Sequence, residues 1–244
     1  MDTTMKVTEI PASRGAAWLS QGFGLFRRKP MVWIGLCAGW LLITFGLYVV
    51  PLVGGVLANF LQPVFFASFA IAALRQEAGE PVAMGDLFQG FRRNMRALVN
   101  LGAILLLAEI AIFAFMALLG LPLDSGVEKG GFTMGDYMET FKGKEWILFI
   151  GLLLMALVKG ALWFAPPLIA LHGMTTGHAM RWSVYAALAN VGSMALYGIL
   201  LFLLFFVAVV TWGIGFLVVI PMMVISTYVG YREVFEARPA AASS

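Results

Sequence analysis

The stretch Leu98–Leu121 reads LVNLGAILLLAEIAIFAFMALLGL, and Glu109 is its one charged residue. A second stretch, Trp146–Leu171, is equally apolar, with Lys159 as its one charged residue. A helix needs about 20 apolar residues to cross a hydrocarbon core of about 30 Å. Both stretches are therefore long enough to span a membrane, with a charge inside each.

Four further stretches have the same length and apolar character. They are Met31–Val50, Leu52–Leu74, Val191–Val209 and Gly215–Tyr231. Over 244 residues the chain is 61% hydrophobic and 12% charged, with a mean hydropathy of +0.91. Soluble domains are about a quarter charged, so this composition excludes an ordinary soluble protein. The sequence predicts an all-α polytopic membrane protein with six transmembrane helices.

Basic residues predict the orientation of the spans, because short cytoplasmic loops are enriched in Lys and Arg. With the N-terminus inside, twelve Lys and Arg residues lie on the inner side and three on the outer side. The outer three are Lys129, Lys142 and Lys144, all within the loop 122–145. We therefore expect a bacterial inner-membrane protein with both termini in the cytoplasm and a periplasmic loop at 122–145.

The segments that precede the first and third spans are similar. Gly22–Pro30 reads GFGLFRRKP and Leu87–Met95 reads LFQGFRRNM, so two aromatic residues and an Arg-Arg pair recur at an offset of 65 residues. Met180–Asn190 is a third, less similar copy. The pattern predicts a single membrane domain, 1–244, built from three parallel repeats at approximately 12–75, 84–172 and 178–232. Each repeat is an interfacial amphipathic helix followed by a transmembrane hairpin.

Prolines mark the even-numbered spans. Pro63 lies in the second span, Pro166 and Pro167 in the fourth, and Pro221 in the sixth. Proline removes a backbone donor and clashes with the preceding turn, and a membrane helix tolerates it where neighbouring groups satisfy the freed carbonyl. We expect helix kinks at all four.

The amphipathic segments predict contact with lipid. In each, aromatic side chains share one helical face and arginines flank them, which is typical of a helix lying in the membrane interface. Acyl chains are expected to meet Trp18, Phe23, Phe26, Phe88 and Phe91, while anionic headgroups meet Arg27, Arg28, Arg92 and Arg93. Lipid is thus the expected partner of this basic surface and nucleic acid is not.

Glu109 and Lys159 are the obvious partners of each other. An ionised group inside a span normally faces the protein interior and pairs. From the distance of each residue to its membrane interface, the two Cα levels differ by about 6 Å, which their side chains can bridge. The pair has two readings that stay open: a structural link between two spans, or part of a proton or ion path.

The chain also resembles a known group of membrane proteins. The residues that carry this resemblance are the entry Trp18 to Pro30, the Leu87 to Arg92 segment, Pro166-Pro167 with the following Ala179 to Asn190, and the closing Thr227 to Phe235. Together they are similar to an uncharacterised family of proteobacterial six-span inner-membrane proteins. More distantly, they resemble YciC-like proteins and the membrane domain of some glycerophosphodiester phosphodiesterases. The resemblance implies a fold and a location and brings no activity.

The sequence favours a non-enzymatic scaffold, accessory or lipid-organising protein of the inner membrane, with a membrane-protein partner as a further expectation. The alternative is a small transporter or channel that uses the Glu109 and Lys159 pair, since transporter sites commonly lie near the bilayer midplane. No catalytic, cofactor or metal motif is found; His172 and His178 lack the ligands and spacing of a zinc site.

Overall fold

A computed structural model describes residues 5–121 and 142–236. Within these ranges the regular secondary structure comprises nine α-helices and one 3₁₀ helix. In chain order they are α1 (Arg14–Arg28), α2 (Pro30–Tyr48), α3 (Gly54–Glu77), the 3₁₀ helix (Met84–Arg92), α4 (Met95–Leu118), α5 (Glu145–Ala161), α6 (Ala165–His172), α7 (Thr176–Ala189), α8 (Val191–Val210) and α9 (Phe216–Phe235). The prediction of an all-α protein is confirmed.

Six segments of the described residues are long and apolar enough to cross a membrane. They are α2, α3, α4, α5 together with α6, α8 and α9. Their bounds lie within a few residues of the six predicted spans, which confirms the predicted transmembrane pattern. Of the predicted loop 122–145, residues 122–141 lie outside the described residues.

The spans differ in how much of each the protein itself covers. In α3 and α9, 61% and 67% of the most apolar window is buried, against 17–22% in the other four spans. The short helix α6 is also buried from Ala165 to Ala170. Helices α3, α6 and α9 therefore form the centre of the bundle. Exposed apolar side chains such as Leu42, Phe113 and Phe206 cover the outer helices, as suits a surface that faces lipid.

Each of the three short helices that were predicted to be interfacial packs on a central span. Gly22 of α1 lies against Ser226 of α9, close enough that a Cβ on Gly22 would be 2.9 Å from the serine Cβ. Gly90 of the 3₁₀ helix lies against the Val64 carbonyl of α3. Ser183 of α7 accepts a backbone N–H at the junction of α5 and α6. Glycine or serine at each contact lets the helices approach closely.

Asn94 and Asn190, which the proposed repeat places at equivalent positions, make comparable contacts. Asn94 Nδ2 donates to the Met174 carbonyl, just before α7, at 2.8 Å. Asn190 Oδ1 accepts the Ile10 N–H, just before α1, at 2.9 Å. Each asparagine thus joins the start of a span to the segment that leads into another short helix. The division into three repeats stays a prediction.

The short helices, the last turns of α3, α6 and α9, and both ends of the region from 5 to 236 meet on one side of the bundle. We call this side the arginine end, because it carries Arg27, Arg28, Arg92 and Arg93. The opposite end holds the α2–α3 and α8–α9 connections and the start of α5.

The proline sites differ from one another. The fourth span is broken between Ala161 and Ala165, and Pro166 and Pro167 lie in the first turn of α6. That position suits proline, since first-turn N–H groups have no partner within the helix. By contrast, α3 and α9 continue through Pro63 and Pro221 without interruption. A bend of those two helices stays a prediction.

Candidate functional site

Glu109 of α4 and Lys159 of α5 form a direct ion pair. Lys159 Nζ lies 2.6 Å from Glu109 Oε1, within hydrogen-bond distance. The Glu109 side chain is 17% exposed and that of Lys159 is 38% exposed, so the carboxylate is the more enclosed partner. The predicted juxtaposition is therefore present, and each charge is neutralised by the other.

A small cavity lies beside this pair, between α3, α4 and the α5–α6 junction. Its volume is about 70 Å³, and Gln62 and Lys159 are the polar side chains of its lining. Hydrophobic side chains, among them Phe66, Leu105 and Trp163, form most of the remainder. Ligand sites generally enclose about 300–1,000 Å³. The surroundings of the ion pair thus offer far less space than a substrate site needs.

Six of the nine residues predicted to contact lipid have exposed side chains. They are Phe23, Phe88, Arg27, Arg28, Arg92 and Arg93. The Arg27 guanidinium carbon lies 5.6 Å from the centroid of the Phe23 ring, the distance of a cation–π contact. In the described part of the chain, no carboxylate lies within 4.0 Å of any of these four arginines. Their charges are therefore available to an external anion.

The assignment of Trp18 and Phe26 to the lipid interface is wrong. Trp18 is 1% exposed and Phe26 is 5% exposed, and both belong to the main hydrophobic core. The Trp18 ring packs edge-on against Phe164 and Tyr197, with centroid distances of 6.2 and 5.5 Å. The cause is that α1 lays its apolar face on α8 and α9, so protein occupies the place assigned to acyl chains.

Phe91 has an intermediate position. Its ring packs against Phe65 of α3 with a centroid distance of 5.5 Å, and its side chain is half-buried. The neighbouring Phe88 is exposed. In this segment, the face that was predicted to contact lipid is therefore partly covered by α3 and partly exposed.

Sequence reasoning missed a polar network at the arginine end, which begins at Glu233 of α9. Glu233 accepts hydrogen bonds from Arg14 Nε at 2.5 Å and from Trp18 Nε1 at 3.0 Å. The hydrogen bond to Glu233 raises the pKa of Arg14 above its ordinary value, because it stabilises the charged guanidinium. Two residues of α1 are thus joined to the last turn of α9.

A second part of this network is centred on Arg232. Arg232 forms an ion pair with Glu77 at the end of α3, and its Nη2 donates to Gln21 of α1 at 3.0 Å. The Tyr228 hydroxyl donates to the other Glu77 oxygen at 2.8 Å. These contacts join α1, α3 and α9. The sequence signal was the closing motif with adjacent Arg232 and Glu233, but nothing in it named Glu77 as a partner.

Two cavities adjoin this network and share Glu77 and Arg232. The first, which we call the arginine cavity, has a volume of about 500 Å³, and its polar lining is Gln21, Arg27, Arg28, Glu77 and Arg232. The second has a volume of about 610 Å³ and includes Arg14, Tyr228, Glu233 and Glu236. Both exceed the cavity beside Lys159 several-fold. Among the cavities described here, the ligand-sized spaces are at the arginine end.

The two histidines have separate surroundings. His172 Nε2 and the Tyr231 hydroxyl are hydrogen-bonded, and the same hydroxyl donates to Glu236 Oε1 at 3.0 Å. His178 is exposed on α7. The described residues include no group of three or more His, Cys, Asp or Glu side chains arranged to hold a metal ion.

Comparison with known proteins places this architecture in a family. No family model matches the chain, and no solved structure matches it. The chain is 31% identical to a probable inner membrane protein of Burkholderia thailandensis over 210 residues, which are 82% of this chain and 76% of the relative. Six membrane-length apolar segments agree with that description. The chain belongs to the family of this Burkholderia inner membrane protein.

Proposed function

We propose that this protein is a non-enzymatic inner-membrane protein that organises anionic lipid at the arginine end of its helical bundle. The observation that carries this proposal is the set of four exposed arginines, Arg27, Arg28, Arg92 and Arg93, without carboxylate partners among the described residues. Each Lys or Arg near the surface of an anionic membrane contributes about 1 kcal/mol of favourable free energy.

The aromatic neighbours of these arginines support the same proposal. Phe23 and Phe88 are exposed within the same two short helices. An exposed phenylalanine beside a basic residue suits the membrane interface, where the ring enters the acyl region and the charge stays at the headgroups. Two such elements therefore present basic and aromatic side chains at the same end of the bundle.

Transport through the midplane is less well supported. Glu109 and Lys159 are already paired at 2.6 Å, and the adjoining space measures about 70 Å³. A pair that neutralises itself in an apolar setting favours a structural link between α4 and α5. The more distant similarity to YciC-like proteins and to the phosphodiesterase membrane domain adds no activity, and a membrane-protein partner stays an expectation.

The proposal includes an orientation with the arginine end and both termini in the cytoplasm. Single cysteines at Ser20, Gly177 and Lys142 in a Cys37→Ala background test it, because all three native residues are exposed and Lys142 lies at the opposite end. An impermeant thiol reagent on intact spheroplasts is expected to label Lys142→Cys, and to label the other two only after lysis. Labelling of Ser20→Cys or Gly177→Cys before lysis would reverse the orientation.

The lipid role predicts a loss of lipid preference on removal of the four arginines. The variant Arg27→Gln, Arg28→Gln, Arg92→Gln, Arg93→Gln is reconstituted in nanodiscs that offer phosphatidylglycerol and phosphatidylcholine in equal amounts. At about 1 kcal/mol per basic residue, the enrichment of phosphatidylglycerol around the protein is expected to fall by at least tenfold at low salt. Mass spectrometry of the lipids that copurify after transfer to detergent measures it.

The control is Lys142→Gln with Lys144→Gln, which removes two positive charges from the opposite end. Its lipid enrichment is expected to equal that of the unmodified protein. The lipid role is rejected if the arginine variant folds and keeps the same enrichment, or if the lysine variant loses as much of it.

A further inference from the structure

We propose that the arginine cavity is a discrete site for one phosphate-bearing glycerolipid headgroup, bound from the membrane side. This inference rests on the proposed lipid role and adds a place and a stoichiometry to it. The cavity lies between α1, α3 and α9 and has a volume of about 500 Å³, within the range of about 300–1,000 Å³ that is common for ligand sites.

The charges around the cavity favour an anion. Its lining holds three arginines, Arg27, Arg28 and Arg232, against one carboxylate, Glu77, which leaves a net charge of +2. Glu77 already pairs with Arg232, so the charge without a carboxylate partner among residues 5–121 and 142–236 belongs to Arg27 and Arg28. Guanidinium groups bind phosphate oxygens through paired, charge-assisted hydrogen bonds, and two of them can share one phosphate. A neutral or cationic ligand would leave this charge uncompensated.

The other polar groups of the lining are held in place by contacts already described. Arg232 is fixed between Glu77 and Gln21, and both of those residues also line the cavity. Gln21 uses its side-chain oxygen to accept from Arg232, and its amide NH₂ group, which donates to no described residue, can donate to a ligand oxygen. A headgroup with hydroxyl and phosphate oxygens can therefore find both amide and guanidinium donors in the lining.

The position of the cavity favours a lipid over a soluble phosphate. Leu25 and Val229 contribute apolar surface to its lining, beside the polar groups. The exposed Phe23 ring lies against Arg27 on the same helix. Two of the three helices that form the cavity, α3 and α9, are membrane-length apolar spans. A ligand with its phosphate in the cavity and its acyl chains beside the exposed Phe23 ring uses both kinds of surface, whereas inorganic phosphate uses only the first.

Gly24 provides a way to fill the cavity without removing any charge. It belongs to the lining, and a Cβ added at this position would meet no heavy atom within 4 Å. A leucine at this position therefore extends into open space. Because leucine is a better helix former than glycine, Gly24→Leu is expected to leave the stability of α1 unchanged or raised. Loss of binding in this variant reports occupied space rather than unfolding.

The experiment titrates the delipidated full chain with dioleoyl phosphatidylglycerol and counts bound lipid by native mass spectrometry. The unmodified protein is expected to hold one lipid with an affinity well separated from that of later ones. Gly24→Leu, and separately Arg27→Gln with Arg28→Gln, are expected to weaken that first binding step by about tenfold or more, the first by occupying the cavity and the second by removing charge-assisted hydrogen bonds to the phosphate. Thermal unfolding of each variant verifies that it is folded.

Two controls match these variants. Gly177→Leu makes the same change on α7, where a Cβ also meets nothing within 4 Å. Lys142→Gln with Lys144→Gln removes the same charge from the opposite end of the bundle, and neither lysine lines the cavity. Both are expected to keep the first binding step within about twofold of the unmodified protein, a difference of less than 1 kcal/mol.

The outcomes separate this site from the broader lipid role. If Arg92→Gln with Arg93→Gln weakens the first binding step as much as Arg27→Gln with Arg28→Gln does, and Gly24→Leu binds like the unmodified protein, the discrete site is rejected while the lipid role stands. If the unmodified protein binds phosphatidylcholine as tightly as it binds phosphatidylglycerol, the discrete site and the lipid role are both rejected. Competition by inorganic phosphate or glycerol phosphate at millimolar concentration, with no advantage for the lipid, assigns the cavity to a soluble anion and overturns the lipid occupant.

Discussion

Glu109→Gln and Lys159→Met are each expected to lower the thermal unfolding midpoint of the protein, whereas the double variant recovers most of the loss. The two side chains form one ion pair at 2.6 Å within apolar helices, so either single substitution leaves the remaining charge without its partner. Breaking an enclosed pair in this way costs about 3–5 kcal/mol, and removing both charges can be nearly neutral. Because Glu109 is the more enclosed partner, Lys159→Met, which leaves the carboxylate unpaired, is expected to cause the larger loss.

The measurement is a double-mutant cycle of unfolding in detergent, with Lys144→Met as a control for the lysine change outside the spans. A structural pair predicts a large coupling energy between the two substitutions. Simple additivity of the two losses would remove the pair from any role in holding α4 to α5. If the pair instead served transport, the double variant would fold normally and lose flux of its ion across proteoliposome membranes.

Gly15→Ala is expected to destabilise the protein strongly, even though it adds one methyl group. A Cβ at Gly15 would lie 2.2 Å from the Ser193 carbonyl oxygen and 2.9 Å from the Tyr197 nitrogen. Both atoms belong to the backbone of α8, so no side-chain rotation can relieve the contact. Helix α1 would have to move away, and it carries Trp18 in the core. Overpacking costs about 1–3 kcal/mol, and a clash with backbone belongs at the upper end of that range or above it.

Gly24→Ala is the matched control on the same helix. Its Cβ would meet nothing within 4 Å, so the helix preference of alanine is expected to stabilise α1 by about 0.5–1 kcal/mol. The effect of Gly→Ala on the stability of the protein is thus expected to have opposite signs at Gly15 and Gly24. Unfolding followed by circular dichroism in detergent measures both, and equal effects at the two glycines would contradict the packing of α1 on α8.

The residues that were predicted to contact lipid show what an amphipathic sequence pattern can predict and what it cannot. Phe23 and Phe88 are exposed as predicted, while Trp18 and Phe26 are buried. An amphipathic helix has one apolar face whether that face meets acyl chains or other helices, because both surroundings are equally apolar. The pattern could therefore identify the face of α1 and could not identify its neighbour.

The sequence by itself determined the helical class, the number of spans and their approximate bounds. These follow from a local property, the free energy of transferring about 20 consecutive residues into hydrocarbon, which depends on composition and length. It also singled out Glu109 and Lys159, because a charge inside such a stretch demands a partner.

Only the tertiary structure decided which helices are central and which residues form the arginine end. Arg232 meets Glu77 and Gln21 through contacts between α1, α3 and α9, which lie far apart along the chain. Small residues such as Gly15 and Gly22 allow helices to approach closely. Whether two helix surfaces fit together depends on both helices at once. The hydropathy of one segment carries no information about which distant segment packs against it. The arginine cavity is therefore evident only in the folded chain.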